Sequence, residues 1–322
     1  MVEPMKVAFH ANHLDLRGTG VAVFDYANHC EKILGHESII VCPALEAQPI
    51  GQSAKAAKRF ESRFQVHRYG RFEEVEPLLE DLGADVFYTI KSGPRDYILS
   101  RGRKTVVHVV FQHYDPHGDV YAYVSRWLSE KMSQGRQPWV PHMVDLPDVS
   151  GDLRDSLEIP RDAIVFGRYG ANDTFDMGFV HRAVVKVAKR RPDVYFVFMN
   201  TDRFCRPKRN ILHLPATTDV TEKLRFINTC DAMLHARKRG ESFGLAVAEF
   251  SARNRPVITF DGGTDRAHLE QLGDKGIYYR SKRDLMNVLD GFEPDSTRDW
   301  DAYSCDFGPK VVMERFSNVF LS

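Results

Sequence analysis

The sequence predicts an α/β protein made of two doubly wound domains that face a cleft. Short apolar segments alternate with longer segments of helical spacing along most of the chain, which is the pattern of parallel strands joined by crossover helices. A stretch rich in proline and glycine, residues 133–152, interrupts this pattern once, and the pattern then starts again. The length of 322 residues also fits two domains of about 150 residues each.

The first half of the chain contains the first series of strands and helices. Its opening apolar segment ends at His10, and helical spacing runs from Val21 to Leu34, where Gly35 is a typical helix stop. Residues 104–111 are apolar on both faces, as expected for a parallel strand that helices cover on both sides. The predicted strands are 5–10, 37–42, 64–69, 85–90 and 104–111, and the predicted helices are 21–34 and 73–82.

The second half repeats the alternation, and residues 194–199 form its most apolar segment. Right-handed strand–helix–strand units of this kind build Rossmann-like domains. We therefore place one domain at 1–145 and a second at 146–306. The predicted strands of the second half are 163–167, 194–199, 211–214, 232–236, 256–260 and 276–279, and its predicted helices are 176–190, 221–228, 243–254, 281–289 and 310–321.

Composition and charge exclude several classes of protein. The 44 basic and 44 acidic residues cancel, which argues against a nucleic-acid-binding protein because such proteins need a basic excess. A local basic site for a small phosphorylated ligand remains compatible with this balance. The sequence shows neither the roughly 18 consecutive apolar residues of a membrane span nor a signal peptide, so we expect a cytoplasmic protein without a transmembrane segment. Five widely spaced cysteines without a Cys-x-x-Cys pair predict reduced thiols.

Residues 235–249 carry the most unusual chemistry of the chain. A strand ends there in the cationic run Arg237-Lys238-Arg239, and Glu241, a turn of small residues and a helix follow. Ligands of open α/β sheets bind at the carboxyl ends of the strands, and the free amides at a helix start attract phosphate, which Gly244 allows to approach closely. A carboxylate can accept two hydrogen bonds from a vicinal diol, so Glu249 fits a ribose and Glu241 fits sugar hydroxyls.

A simpler interpretation of the two glutamates is also open. Glu241 could be an acid that the helix dipole favours near a helix start, and Glu249 could be a solvated surface residue. The neighbours of Glu249 are apolar on nearly all sides of the predicted helix. A carboxylate in such a helix is costly without a partner, which favours the functional interpretation.

The segment Glu241-Ser-Phe-Gly-Leu-Ala-Val-Ala-Glu249, followed by Ser-Ala-Arg-Asn-Arg-Pro-Val-Ile, resembles the E-x7-E segment of retaining glycosyltransferases of the GT-B architecture, in the family called glycosyl transferases group 1. The strands at 164–168 and 229–235 and the glycine-rich loop at 261–265 also resemble segments of that family. The resemblance covers about 160–280 well. In the first half it is limited to the layout and to Gly18-Thr19-Gly20.

The resemblance implies a metal-independent enzyme without a cofactor. The enzyme would move a sugar from a nucleoside diphosphate donor to a hydroxyl of a glycan or another acceptor. UDP and GDP are the favoured nucleotides of the donor. The first domain would bind the acceptor and the second the donor, and a final helix at 307–322 would cross back to the first domain. Since many acceptors of the family are lipid-linked, peripheral membrane contact stays open. The implied donor-binding residues are Gly18, Gly20, Arg168, Ser242, Phe243, Gly244, Leu245 and Glu249, with Glu241 on the sugar.

The family also implies a histidine that faces the sugar from the end of a middle strand of the first domain. His108 lies in such a strand, and His113 and His117 follow in the next loop. A histidine within a strand is more often a core residue, and this alternative stays open for His108. His10, at the end of the first strand, is a weaker candidate for contact with either substrate.

The chain departs from the family at a phosphate-binding lysine, whose position falls in the sequence Gly-Ala-Asn-Asp-Thr-Phe-Asp at 170–176. Arg237, directly after its strand, is the favoured substitute. The missing lysine supports an alternative, a nucleotide-sugar or glycan-binding protein with weak catalysis or none, because fold does not determine function.

A nicotinamide dehydrogenase is a third hypothesis, but the full Gly-x-Gly-x-x-Gly pattern is absent. The acidic pair Asp299 and Asp301 lies far from any predicted strand end and is interpreted as a surface element.

Overall fold

The computed structural model of the protein describes residues 3–15, 17–44 and 53–322. The chain divides into two units, of which the first comprises Met1–Met143 with Asp306–Ser322 and the second comprises Val144–Cys305. Within the described residues, each unit contains one six-stranded sheet whose neighbouring strands all run parallel. The predicted α/β class with two doubly wound parallel sheets is therefore confirmed.

The sheet of the first unit has the strand order β3-β2-β1-β4-β5-β6, which is the Rossmann order. The elements β6, α2 and α4 were not predicted, because they are only 4, 8 and 8 residues long and so short a segment gives a weak periodic signal. The strands are β1 (Lys6–His10), β2 (Glu37–Pro43), β3 (Gln65–Tyr69), β4 (Val86–Lys91), β5 (Lys104–Val109) and β6 (Val120–Tyr123), and the helices are α1 (Gly18–Lys32), α2 (Ala54–Glu61), α3 (Val75–Asp81) and α4 (Arg126–Ser133).

Helix α1 begins at Gly18, three residues before the predicted start at Val21. A Cβ atom on Gly20 would lie 2.6 Å from the carbonyl oxygen of Asp15. Glycine is therefore required for the chain after β1 to pass this close to the helix. Gly18 and Gly20 belong to the first turn of α1 rather than to a separate loop.

The sheet of the second unit has the order β14-β12-β10-β7-β8-β9, so its strands are connected as in the first unit. The chain moves outward from β7 to β9 and then returns to the other side of β7 with β10, and the point of reversal is where ligands bind in such sheets. The strands are β7 (Ile164–Tyr169), β8 (Val194–Met199), β9 (Ile211–Leu214), β10 (Ala232–His235), β11 (Gly240–Glu241), β12 (Val257–Phe260), β13 (Asp265–Arg266) and β14 (Gly276–Tyr279), and the helices are α5 (Gly178–Arg190), α6 (Val220–Thr229), α7 (Leu245–Ala252), α8 (Ala267–Leu272) and α9 (Lys282–Gly291).

The C-terminal segment contains α10 (Ser304–Phe307) and α11 (Pro309–Phe316), which a turn of π-helix at Ser317–Leu321 follows. Phe316 and Phe320 are fully buried in the first unit. The ring centre of Phe316 lies 5.3 Å from that of Tyr26 and 5.6 Å from that of Tyr88, and Phe320 lies 5.1 Å from His108. The end of the chain thus completes the aromatic core of the first unit.

Replacement of Phe316 by alanine should destabilise the first unit by about 3–5 kcal/mol, the usual cost of removing a buried aromatic ring. Urea unfolding followed by tryptophan fluorescence measures this loss, since Trp127 and Trp139 lie in the first unit. Val311, on the same helix and 46% exposed, supplies the control V311A, which should cost about 0.5 kcal/mol or less. Equal losses in both variants would show that the ring is not part of the core.

Candidate functional site

The candidate site lies at the carboxyl edge of the sheet in the second unit. Arg168 stands at the end of β7, His235 at the end of β10 and Thr259 near the end of β12. Glu241 lies on β11, which pairs with β13 in the register Glu241 to Arg266. Because β11 and β13 follow β10 and β12 respectively, this short pairing connects the two strand-end loops and fixes the backbone of Glu241.

Glu241 is bound through both carboxylate oxygens. Its Oε2 accepts a hydrogen bond from Nη1 of Arg237 at 2.6 Å, and its Oε1 lies 3.2 Å from Nε2 of His235. Burial by itself would raise the pKa of this carboxyl, but the hydrogen bond from His235 and the positive charge of Arg237 together lower the pKa to about 2. Glu241 is therefore an ionised acceptor at neutral pH, held from two sides.

Two further buried side chains, Thr259 and His268, extend the chain of hydrogen-bond contacts beyond His235. The Nδ1 atom of His235 lies 2.8 Å from Oγ1 of Thr259, and that hydroxyl oxygen lies 3.2 Å from Nε2 of His268. Burial lowers the pKa of His268 to about 3, so this ring is neutral at physiological pH. The sequence reasoning did not single out Thr259 or His268; only the strand-end position of His235 was a usable signal.

Arg168 is a buried cation that connects two loops. Its Nη1 atom donates to Oγ1 of Thr201 at 2.5 Å and to the carbonyl of Asn200 at 3.3 Å. Its Nη2 atom donates to Oγ1 of Thr174 at 2.6 Å and to the carbonyl of Ala171 at 2.8 Å. Burial lowers the pKa of Arg168 to about 10, and Glu241 opposes that shift, so the guanidinium stays charged. These four hydrogen bonds go to neutral oxygens, which leaves the charge of Arg168 available to act on a nearby anion.

The turn between Glu241 and α7 consists of Ser242, Phe243 and Gly244. Gly244 precedes the helix with φ of 90° and ψ of 68°, a left-handed conformation that glycine adopts without strain. The first helical hydrogen bond of α7 runs from the amide of Ala248 to the carbonyl of Gly244, at 2.9 Å. The amides of the first turn of α7, which begins at Leu245, therefore have no hydrogen-bond acceptor within the helix. The helix starts two residues later than predicted, and its start remains next to Glu241.

Glu249 is buried within α7, so the interpretation of this residue as a solvated surface group is wrong. Its Oε1 atom accepts a hydrogen bond from Nζ of Lys223 on α6 at 2.7 Å. The same Nζ lies 5.8 Å from the ring centre of Tyr169, the last residue of β7. The costly burial of the carboxylate is thus compensated by a cation that the sequence reasoning missed, since nothing in the chain links Lys223 to Glu249 before the fold is known.

The other cations of the run after β10 have different surroundings. Nε of Arg239 donates to the buried carboxylate of Asp265 at 2.7 Å, whereas Lys238 is exposed. Of the three, Arg237 is the one that contacts Glu241.

The acidic pair near the C-terminus lies apart from this cluster in its contacts. Asp299 accepts a hydrogen bond from Nζ of Lys275 at 2.7 Å, and Asp301 accepts from the amides of Tyr303 and Ser304. Across the described ranges, no group of three His, Cys, Asp or Glu side chains could hold a metal ion. None of the helices in those ranges is long and apolar enough to span a membrane.

The histidines of the first unit differ in how accessible they are. His108 is fully buried; its Nδ1 lies 2.7 Å from the hydroxyl of Tyr88 and its Nε2 lies 2.8 Å from the carbonyl of Val140. Burial lowers its pKa to about 4. Both ring nitrogens of His108 are thus committed to the core, as the alternative interpretation of this residue states, and none remains for a sugar. His113 lies in the loop after β5 and is half-buried.

His10 and His117 are buried as well. Nε2 of His10 lies 2.8 Å from the hydroxyl of Tyr69, and Nδ1 of His117 lies 2.5 Å from the carbonyl of Asp115. Among the candidate histidines of the first unit discussed above, His113 is therefore the one whose ring is not enclosed.

Comparison with known proteins finds similar structures but no similar sequence. No family model matches the chain, and no curated protein matches it. The Alr3699/HepE protein of Anabaena in complex with UDP and glucose has a TM-score of 0.73 at 14% identity, over 99% of this chain and 100% of that one. AviGT4, a glycosyltransferase involved in avilamycin A biosynthesis, has a TM-score of 0.65 at 14% identity, over 99% and 97%.

A protein of Listeria monocytogenes assigned as a UDP-N-acetylglucosamine 2-epimerase also has a similar structure, with a TM-score of 0.61 at 13% identity, over 97% of this chain and 95% of that one. These similarities extend over nearly the whole chain. They show that the chain has the GT-B fold of the glycosyltransferases, which the sequence predicted.

Replacement of Lys223 by methionine should leave Glu249 as a buried charge without its cation. We expect a loss of roughly 3 kcal/mol in the free energy of unfolding, as for other broken buried ion pairs. Urea unfolding of the variant measures it. The exposed Lys186 on α5 supplies the control K186M, which should unfold like the natural chain; a loss in K223M no larger than that of K186M would contradict the role of the ion pair.

The stabilising effect of Glu241 should depend on pH. Because the folded-state pKa is lowered from 4.5 to about 2, the ionised carboxylate stabilises the fold above about pH 4.5, and this contribution is lost as the pH falls toward 2. The shift corresponds to on the order of 3 kcal/mol. The difference in unfolding free energy between the natural chain and E241Q, measured by urea titration from pH 6 down to 3.5, should therefore shrink. A difference that stays constant over this range would show that the pKa is not lowered.

Proposed function

We propose that this chain is a retaining, metal-independent glycosyltransferase, which moves a sugar from a nucleoside diphosphate donor to a hydroxyl of a glycan or another acceptor. The observation that carries the proposal is the pair of carboxylates, Glu241 and Glu249, on either side of the start of α7 at the edge where α/β sheets bind ligands. Both are substantially shielded from solvent and each contacts a cation. The fold shared with glycosyltransferases, and the UDP and glucose bound to one protein with this fold, support the assignment.

The residues around α7 divide the donor between them. Glu249 accepts hydrogen bonds from the ribose diol, and the amides from Ser242 to Leu245 bind the diphosphate. Glu241 accepts hydrogen bonds from hydroxyls of the transferred sugar. A carboxylate suits this role because hydrogen bonds to a charged acceptor are stronger than neutral ones.

Cleavage of the donor places negative charge on the leaving diphosphate, so the site must supply fixed positive charge there. The helix start and Arg168 provide charge that does not have to move. Arg237 is partly exposed and takes the place of the missing family lysine, because its guanidinium can turn from Glu241 toward a phosphate. Attack by the acceptor hydroxyl on the face that the diphosphate leaves accounts for retention, with the phosphate oxygen accepting the proton. This route assigns no covalent intermediate to a protein carboxylate.

Gly18, Gly20 and His113 of the first unit keep the binding roles that the resemblance implies, and we propose a cytoplasmic location on the same basis. His108 is removed from the proposal because both its ring nitrogens are bound in the core. The favoured donors are UDP and GDP sugars.

A second candidate is a nucleotide-sugar or glycan-binding protein on the same fold that turns over slowly or not at all. Two observations favour it: the Nη hydrogens of Arg168 are engaged by loop oxygens, and no lysine follows Arg168 in that loop.

Binding and turnover assays separate the candidates. We expect calorimetry to detect binding of at least one donor among UDP-glucose, UDP-N-acetylglucosamine, GDP-mannose and ADP-glucose. The variant E249A should bind UDP at least 10-fold more weakly, since a charged hydrogen bond contributes roughly 1.5–3 kcal/mol. The variant E241A should bind UDP within about 2-fold of the natural chain and lose most donor turnover, because the proposal places Glu241 on the sugar of the donor and not on its nucleotide. The exposed Glu293 supplies the control E293A, expected to change neither quantity.

The products distinguish the remaining outcomes. A product with retained anomeric configuration by NMR, formed equally with and without EDTA, supports the proposal. Donor binding without hydrolysis or transfer supports the binding protein. Isomerisation of UDP-N-acetylglucosamine at C2 without any acceptor would assign an epimerase instead. No binding of any donor would refute the transferase and the epimerase and leave only the glycan-binding protein.

A further inference from the structure

We infer that Thr259 and His268 are positioning residues for Glu241: they hold His235 in the tautomer whose Nε2 carries the hydrogen, so that His235 donates to the carboxylate. The inference concerns the site of the proposed function and rests on it for the catalytic consequence. The hydrogen-bond chain itself is a property of the folded protein. It runs from His268 through Thr259 and His235 to Glu241, over contacts of 3.2, 2.8 and 3.2 Å.

The direction of each hydrogen bond follows from what each group can do. Ionised Glu241 only accepts hydrogen bonds, so Nε2 of His235 must donate to it. With a single hydrogen on the His235 ring, the other nitrogen, Nδ1, is an acceptor, and the hydroxyl of Thr259 donates to it. The hydroxyl has a single hydrogen, so its oxygen accepts from His268, whose Nε2 must carry the hydrogen of that neutral ring. All three hydrogen bonds therefore point toward Glu241.

The opposite tautomer of His235 would disrupt this arrangement. A hydrogen on Nδ1 would leave the lone pair of Nε2 facing the lone pairs of Oε1 in Glu241, and both atoms would be acceptors. His235 and His268 are both buried, and their ring centres lie 5.0 Å apart in an edge-to-face arrangement. Neither ring is free to rotate into water. The hydroxyl of Thr259, held as a donor to Nδ1 by the contact from His268, therefore adds to the carboxylate of Glu241 in favouring the Nε2 tautomer of His235.

The consequence for the proposed reaction is a carboxylate with a fixed orientation. Arg237 binds one oxygen of Glu241 and His235 the other, so the plane of the carboxylate is set from two sides. Arg237 is 25% exposed and can turn toward a phosphate, whereas His235 is enclosed. We therefore expect the His235 contact to keep Glu241 aligned with the sugar while Arg237 serves the diphosphate, and its loss to lower turnover more than nucleotide affinity.

The test compares T259V, which removes the hydroxyl at nearly constant volume, with T259S, which retains it. Nitrogen NMR of the histidine rings reports the tautomer directly, because protonated and unprotonated ring nitrogens have well-separated shifts. We expect His235 to be protonated at Nε2 in the natural chain and in T259S, and the share of this tautomer to fall in T259V. We expect turnover of the donor to fall about 10-fold in T259V and to recover in T259S, with UDP affinity within 2-fold throughout.

A matched control exists in the first unit. Thr89 is fully buried in β4 and its hydroxyl has no hydrogen-bond partner in the structure, so T89V makes the same change without touching the chain to Glu241. If T259V fails to fold, H268F tests the same hydrogen bond, because it keeps a ring and removes the donor to Thr259. We expect H268F to weaken the preference of His235 for the Nε2 tautomer.

The outcomes separate this inference from the proposed function. An unchanged His235 tautomer in both T259V and H268F would overturn the inference, whatever the enzyme does. A changed tautomer with unchanged turnover would overturn the positioning role. If the natural chain turned over no donor, the proposed function would fail, and the NMR result would still decide whether Thr259 and His268 set the tautomer.

Discussion

The arrangement of the site depends on one requirement. The carboxylate of Glu241, enclosed at the edge of a sheet, needs an opposite charge and hydrogen-bond donors around it. A carboxylate removed from water would become protonated without opposite charge or donors. Glu241 meets this requirement through Arg237 and His235, and its pKa lies near 2 rather than above the ordinary value. The requirement accounts for Arg237 shortly before Glu241, for His235 at the end of β10 and for Thr259 near the end of β12.

The strand order brings these groups together. In the second unit β10 lies between β7 and β12, so residues that are far apart in sequence come from three adjacent strand ends. The pairing of β11 with β13 then fixes the turn that carries Glu241. The same constraint places the start of α7 beside that turn, where its unpaired amides supply positive potential. Charge, donors and helix start thus share one edge because the strand order brings these strand ends and the start of α7 together.

Patterns within one segment could be predicted from the sequence, whereas contacts between segments could not. The parallel sheets follow from apolar runs such as 104–111 and 194–199, and the site follows from the spacing of Glu241 and Glu249. Lys223 and His268 lie on α6 and α8, and their contacts depend on how those helices pack, which periodicity does not contain. Strand β6 and helices α2, α4 and α8 were missed because they are short and their apolar periodicity is weak. The sequence leaves the burial of His108 open, and the positions of Tyr88 and Val140 decide it.

The two arginines of the site differ in burial, and under the proposed function this difference bears on how a chain without the family's lysine stabilises a leaving diphosphate. Arg168 is buried and bound to four oxygens in two loops, so its charge is fixed and acts over a distance. The Arg237 guanidinium is partly exposed, and its Nη1 binds Glu241, so the proposed function requires it to turn about that contact toward the phosphate. A fixed charge lowers the energy of the developing anion without reorganisation, and a mobile cation adds direct hydrogen bonds once the phosphate is present. For this division to work, Glu241 must stay in place while Arg237 turns, and His235 is the group that can hold it.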